Sequence, residues 1–149
     1  MHGTENAMSG AAILLVEDDP DDVRIIEKAL ESSTVPVTIS TVENGVEALE
    51  LLDKAALAGE PAPDLILLDL NLPIMSGTEF LTKLRAHPTL NAIPVCVFTT
   101  ADDAITIRRA YAAGANAVVT KADSLVGMST VLNTIVEFWF KVAERYSSD

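Results

Sequence analysis

Glu17, Asp18, Asp69, Thr99 and Lys121 each follow a short apolar run, and together their side chains suit metal and phosphate chemistry. Glu17 and Asp18 close Ala11-Ala-Ile-Leu-Leu-Val16, and Asp69 closes Leu65-Ile-Leu-Leu68. Thr99 closes Pro94-Val-Cys-Val-Phe98, and Lys121 stands two residues past Ala117-Val-Val119. Runs this short and continuous read as strands buried on both faces of a parallel sheet. Ligands of open α/β sheets bind beyond the carboxyl ends of the strands, where all of these residues fall. Glu17 and Asp18 are adjacent like charges, which repel unless a cation or a base lies between them. The competing reading of Asp69 is that it caps the next helix.

The intervening segments carry helix signals. Asp19 can cap a helix with Pro20 at its first position, and Asp21 and Asp22 suit the positive end of its dipole. Val23, Ile26 and Leu30 form its apolar face. Val37 to Thr41 alternates apolar and polar residues, as a strand near a sheet edge does. Asn44 and Glu47 have the spacing of a capping box, and Val46, Leu49 and Leu52 make the buried face behind it. Asn71, Pro73 and Gly77 are turn and breaker signals, after which Thr78 to Ala86 is helical in pattern. Asp102 and Asp103 open a further helix that stops at Gly114, and Ser124 caps a last one running to about Tyr146.

Five strands alternating with five helices predict an α/β fold, a doubly wound five-stranded parallel sheet with two helices on one face and three on the other. In the strand order 2-1-3-4-5 the first and third strands are neighbours, so Glu17, Asp18 and Asp69 converge. Three carboxylates around one small space call for a hard divalent cation, and Mg²⁺ fits. Lys121 and Thr99 across the same space can hold the remaining oxygens of a phosphoryl group.

With 22 acids against 10 bases the net charge is −12, which argues against nucleic acid and anionic membrane as partners. The single cysteine, Cys96, excludes an internal disulfide and suits a reducing cytoplasm; it reads as a small buried apolar residue, with reactivity the alternative. No apolar run reaches the length of a membrane span, and the N-terminus lacks a signal-peptide pattern. The expected organisation is a flexible tail over 1–10 and one domain over 11–149. Only 5% of residues are aromatic, so aliphatic side chains must build its core. His87, beside Pro88, reads as a surface loop residue, and Arg108 and Arg109 as a solvated helix face.

From about Ala11 to Trp139 the sequence resembles the receiver domains of two-component response regulators. The matching residues are Leu-Val-Glu17-Asp18, Asp69-Leu-Asn-Leu-Pro73-Ile-Met-Ser-Gly77, Thr99 and Lys121. The resemblance implies a flavodoxin-like fold with Asp69 as phosphoacceptor, and Mg²⁺ held by Glu17, Asp18, Asp69 and the backbone carbonyl of Asn71. It implies that Thr99 and Lys121 contact the phosphoryl oxygens, and that a sensor histidine kinase is the partner. The acids after Asp18, the Pro-containing loop before Asp64, Thr99 to Asp103 and Phe138-Trp139 are similar to single-domain regulators paired with phytochromes. Slow self-dephosphorylation is then the only chemistry expected, so the chain is read as a phosphoacceptor and not an enzyme. A Mg²⁺-dependent aspartyl-phosphate phosphohydrolase is the alternative, but it needs an acid where Asn71 stands. A scaffold with vestigial phosphorylation is the other.

Two departures from the receiver pattern stand out. Ala122 replaces the usual proline after the lysine, which favours a trans bond. Val118 replaces the usual aromatic, so coupling must pass through packing and not through a swinging ring. The last helix carries a seam of Leu125, Met128, Leu132, Ile135, Trp139, Val142 and Tyr146, with Val131, Val136, Phe138 and Phe140 outside it. More apolar surface than one domain can cover implies a homodimer through this helix, with Trp139 or Phe140 as anchors.

Overall fold

The computed structural model describes residues 10–122 and 124–142. Residues 1–9 of the expected tail over 1–10, and the end of the last helix beyond Val142, lie outside the described residues. Five strands, β1 (Ala11–Val16), β2 (Val37–Val42), β3 (Leu65–Leu68), β4 (Val95–Thr99) and β5 (Ala117–Thr120), form one sheet in the order β2-β1-β3-β4-β5. All the pairings are parallel. The helices are α1 (Pro20–Glu31), α2 (Gly45–Leu57), α3 (Gly77–Arg85), α4 (Ala104–Ala113) and α5 (Leu125–Glu137).

Caps start the helices where their side chains allow. Asp19, Asn44, Ser76, Asp103 and Ser124 each accept a hydrogen bond from a first-turn amide. Ser76 therefore caps α3, and Asp69 is free of that duty. Glu47 makes only half of the expected box: Asn44 accepts from its amide, but its carboxylate takes the amide of Glu43, one residue upstream of the cap.

Every residue of β3 and β4 is buried, whereas β2 alternates at one edge, as its sequence pattern requires. One face of the sheet packs on α1 and α5 through Ile26, Leu30, Met128, Leu132 and Val136. The other packs on α2, α3 and α4 through Leu52, Phe80, Leu81, Leu84 and Ala110. Two helices lie on one face and three on the other. Cys96 is fully buried on the α1–α5 face, and burial pushes its thiol up to about 12. Alkylating reagents should leave Cys96 untouched in the native protein and modify it only in denaturant, as read by intact mass. Native modification within minutes would show that β4 opens.

Two features tie the loops around β4 and β5. The Arg85 guanidinium donates to the carbonyls of Gly114, Asn91 and Ile93 and to the Asn116 side chain, at 2.7–3.1 Å. The Tyr111 hydroxyl, on α4, accepts from the amide of Val118 at 3.2 Å, on the outer side of edge strand β5. His87 is more engaged than a surface loop residue. Its Nε2 lies 2.8 Å from Asp53, and its Nδ1 accepts from the amides of Thr89 and Leu90.

After Glu137 the chain widens into a π-helical turn, Phe138–Val142. This wider turn brings Trp139 and Phe140 half-buried onto the α1–α5 core and leaves Phe138 51% exposed. Thr34 donates to Glu137, and Lys141 donates to Thr34, which fixes the turn to the α1–β2 loop. The own domain thus covers more of the helix end than its apolar sequence implies, because the wider turn changes which residues face inward.

Candidate functional site

The register of the sheet sets the site. Val16 of β1 lies level with Leu68 of β3, and Leu68 with Val97 of β4, so Glu17 and Asp69 leave their strands side by side. Two backbone bonds, from the Glu17 amide to Val42 and from the Asp69 amide to Val16, prolong the pairing past the strand ends. Carboxylate oxygens of Glu17, Asp18 and Asp69 lie within 4.8 Å of one another, with Glu17 and Asp69 buried and Asp18 exposed. Oxygen-only and negative, with two of its three members buried, this set fits a hard divalent cation such as Mg²⁺.

Lys121 reaches the same space from the end of β5, which runs one residue further than expected, to Thr120. A bond from the Lys121 amide to the Thr99 carbonyl, 2.7 Å, locks that end against β4. The Lys121 ammonium lies 2.7 Å from Glu17, 2.9 Å from Asp22 and 3.5 Å from Asp69. Burial by itself would lower its basicity, but the bonds to Glu17 and Asp22 and the charge of Asp69 outweigh that and hold it fully protonated. Burial pushes the Glu17 carboxyl from 4.5 up to about 7, reinforced by the charge of Asp69 and opposed by Lys121. One ammonium among several carboxyl groups leaves an excess of negative charge, which a cation would relieve.

Thr99 is fully buried, and its hydroxyl oxygen accepts from the Ala101 amide at 3.1 Å, leaving its proton free to donate. Asn71 sits in the loop two residues beyond Asp69 with its side chain exposed, and its amide reaches Asp69 at 3.4 Å. That loop turns on Ile74, whose φ is 68° and whose side chain is exposed. The Lys121–Ala122 bond is trans, since no cis bond occurs among the described residues. Val118 packs half-buried on the α2–α4 face.

Sequence reasoning thus brought Glu17, Asp18, Asp69, Thr99 and Lys121 to one end of the sheet, where they stand. It missed Asp22, which it placed only as a dipole-complementing acid. The available signal was redundancy: Asp19 already caps α1, so a further buried-side acid in that first turn is free for another partner.

The chain belongs to the response regulator receiver domain family, whose pattern it matches over residues 13–132. Response regulator Rcp1 of Synechocystis sp. is 34% identical over 130 residues, 87% of this chain and 88% of that protein. A probable methanogenesis regulatory protein, FilR2 of Methanothrix harundinacea, is 34% identical over 127 residues, 85% of this chain and 82% of that one. Among solved structures, the phosphorylated cyanobacterial phytochrome response regulator RcpA superposes with a TM-score of 0.85 at 39% identity, covering 93% of this chain and all of that one. The Mn²⁺-bound form of Rcp1 superposes with a TM-score of 0.81 at 32% identity, over 92% and 99% of the two chains.

Proposed function

We propose that this chain is a single-domain response regulator that accepts a phosphoryl group on Asp69 from a sensor histidine kinase in a Mg²⁺-dependent reaction. The observation that carries this reading is the meeting of Glu17, Asp18 and Asp69 oxygens within 4.8 Å, with the Lys121 ammonium 3.5 Å from Asp69. An Asp69 carboxylate oxygen attacks phosphorus as the phosphorus–nitrogen bond of the kinase phosphohistidine breaks, and the electron pair leaves with the imidazole. Glu17, Asp18, Asp69 and the Asn71 backbone carbonyl would hold Mg²⁺, which neutralises the charge on the transferring group. The Thr99 hydroxyl and Lys121 donate to the phosphoryl oxygens, each through a charge-assisted hydrogen bond. With Asn71 where a phosphohydrolase needs its acid, hydrolysis of the acyl phosphate is slow, and the protein acts as a phosphoacceptor and not as an enzyme.

Receiver domains interact with histidine kinases, and the likeness to RcpA supports a phytochrome as the kinase here. The lone reduced cysteine supports a cytoplasmic setting, and the net charge of −12 supports output through protein and not nucleic acid or membrane. No helix among the described residues is long and apolar enough to cross a membrane. Phosphotransfer profiling tests the partner: purified, autophosphorylated phytochrome-type kinases should pass label to this protein faster than unrelated kinases do. Equal transfer from all of them would remove the phytochrome assignment.

The second part of the reading is a homodimer along α5. Its support is the exposed apolar side chains of Val126, at 78%, and Phe138, at 51%, on a helix whose inner face is already filled. With Trp139 and Phe140 packed on their own domain, Phe138 is the better anchor. Light scattering at micromolar concentration should give a dimer for the intact chain and a shift toward monomer for Phe138→Asp. An intact chain that scatters as a monomer would refute it.

A further inference from the structure

Among the described residues, Asp22 is the one carboxylate that faces Lys121 without belonging to the metal-binding group. It comes from the first turn of α1 and not from a strand end, and its side chain is 30% exposed. The ammonium sits 2.9 Å from Asp22 and 3.5 Å from Asp69, so the lysine rests on the α1 side of the acceptor. Glu17, its other close partner at 2.7 Å, is shared with the metal-binding group, whereas Asp22 makes no other side-chain bond among the described residues. Asp19, the N-cap itself, already accepts from the α1 amide of Asp21, so helix capping does not account for Asp22. A lysine has three donors and can serve a phosphoryl oxygen only by loosening one of these contacts.

We infer that Asp22 is a positioning residue that holds Lys121 on the α1 side of Asp69 in the resting protein and competes with the phosphoryl group for it. This rests on the phosphoacceptor reading of Asp69. When a phosphoryl group arrives, Lys121 crosses from Asp22 to the phosphoryl oxygens, and the first turn of α1 loses its tie to the end of β5. Asp22 thereby sets part of the barrier to phosphorylation without touching the reacting atoms. Removing its charge lets the lysine approach the acceptor sooner.

The test compares wild type, Asp22→Asn, Asp22→Glu, Lys121→Ala and the Asp22→Asn/Lys121→Ala double variant, each checked by thermal melting. Acetyl phosphate with Mg²⁺ is the donor, and the initial rate of phosphoryl gain is read by intact mass. Asp22→Asn should react roughly tenfold faster than wild type, the scale of one hydrogen bond to a charged group. Asp22→Glu should return toward the wild-type rate, and Asp22→Asn should add nothing in the Lys121→Ala background. An unchanged or slower Asp22→Asn overturns the inference. So does equal acceleration with and without Lys121, which would mark a bulk charge effect. A second arm needs neither metal nor phosphate: reductive methylation of Lys121, followed by peptide mass spectrometry, should run several-fold faster in Asp22→Asn. If wild type gains no phosphoryl group, the phosphoacceptor reading fails alone, and the methylation arm still decides Asp22: unchanged labelling overturns it.

Discussion

Asp69→Asn should leave the protein folded and abolish its gain of a phosphoryl group. Asparagine keeps the shape of the side chain, and the backbone bond from residue 69 to Val16 is untouched, so the end of β3 stays in place. What disappears is the nucleophilic carboxylate, and with it one of the three carboxylates that would hold the cation. Intact mass after incubation with acetyl phosphate and Mg²⁺ should show one phosphoryl group on wild type and none on the variant. Loss of a negative charge beside Lys121 and Glu17 also relieves like-charge crowding, so the melting temperature should hold or rise. A phosphoryl gain that survives in Asp69→Asn would move the acceptor elsewhere and end the proposed function.

Gly77→Ala should be strongly damaging to both the fold and the site. A Cβ at Gly77 would stand 2.3 Å from the Asp69 carbonyl oxygen and 2.7 Å from Leu70 Cα, both backbone atoms that cannot swing aside. The Gly77 amide also donates to the Leu70 carbonyl at 3.0 Å, which holds the start of α3 against the end of β3. Relief of the clash must push residues 69–70 or the first turn of α3. The expected loss is about 1–3 kcal/mol, seen as a lower denaturation midpoint. Because the displaced atoms carry the acceptor, phosphorylation should slow as well, through misplacement of the attacking oxygen. Gly59→Ala is the matched control. Gly59 has a φ of 74° and nothing within 4 Å of the added methyl, so only the left-handed backbone is charged against it, about 1 kcal/mol, with phosphorylation unchanged. Equal effects of the two changes would remove the link between Gly77 and the site.

The strands that build the site were legible because burial on both faces leaves an unmistakable composition. Leu65 to Leu68 and Val95 to Phe98 are apolar without interruption, and every one of them is buried. Caps were legible for a local reason: Asp19, Asn44, Asp103 and Ser124 act within three residues of themselves. Contacts across the chain were not. The Lys121–Asp22 bond joins residues 99 apart, and no local pattern distinguishes it from an acid serving the helix dipole. The turn at Phe138–Val142 was read as continuous α-helix because a change of helical pitch leaves the apolar content the same. Trp139, on the apolar seam, and Phe140, outside it, were therefore offered as dimer anchors, whereas the wider turn brings both onto the α1–α5 core. Arg85 likewise shows no sign in sequence that its four hydrogen-bond partners lie in two separate loops.

The bond between the Tyr111 hydroxyl and the Val118 amide bears on how copies of this chain can assemble. Edge strands expose unpaired amides that invite a further strand, the usual seed of aggregation. β5 is such an edge, and it is only four residues long. At its second residue the phenol hydroxyl already accepts from the outward amide. A second chain seeking to extend the sheet there would have to displace that hydroxyl and break its bond before gaining any of its own. Sheet-to-sheet fusion through this edge is thus opposed near the middle of β5.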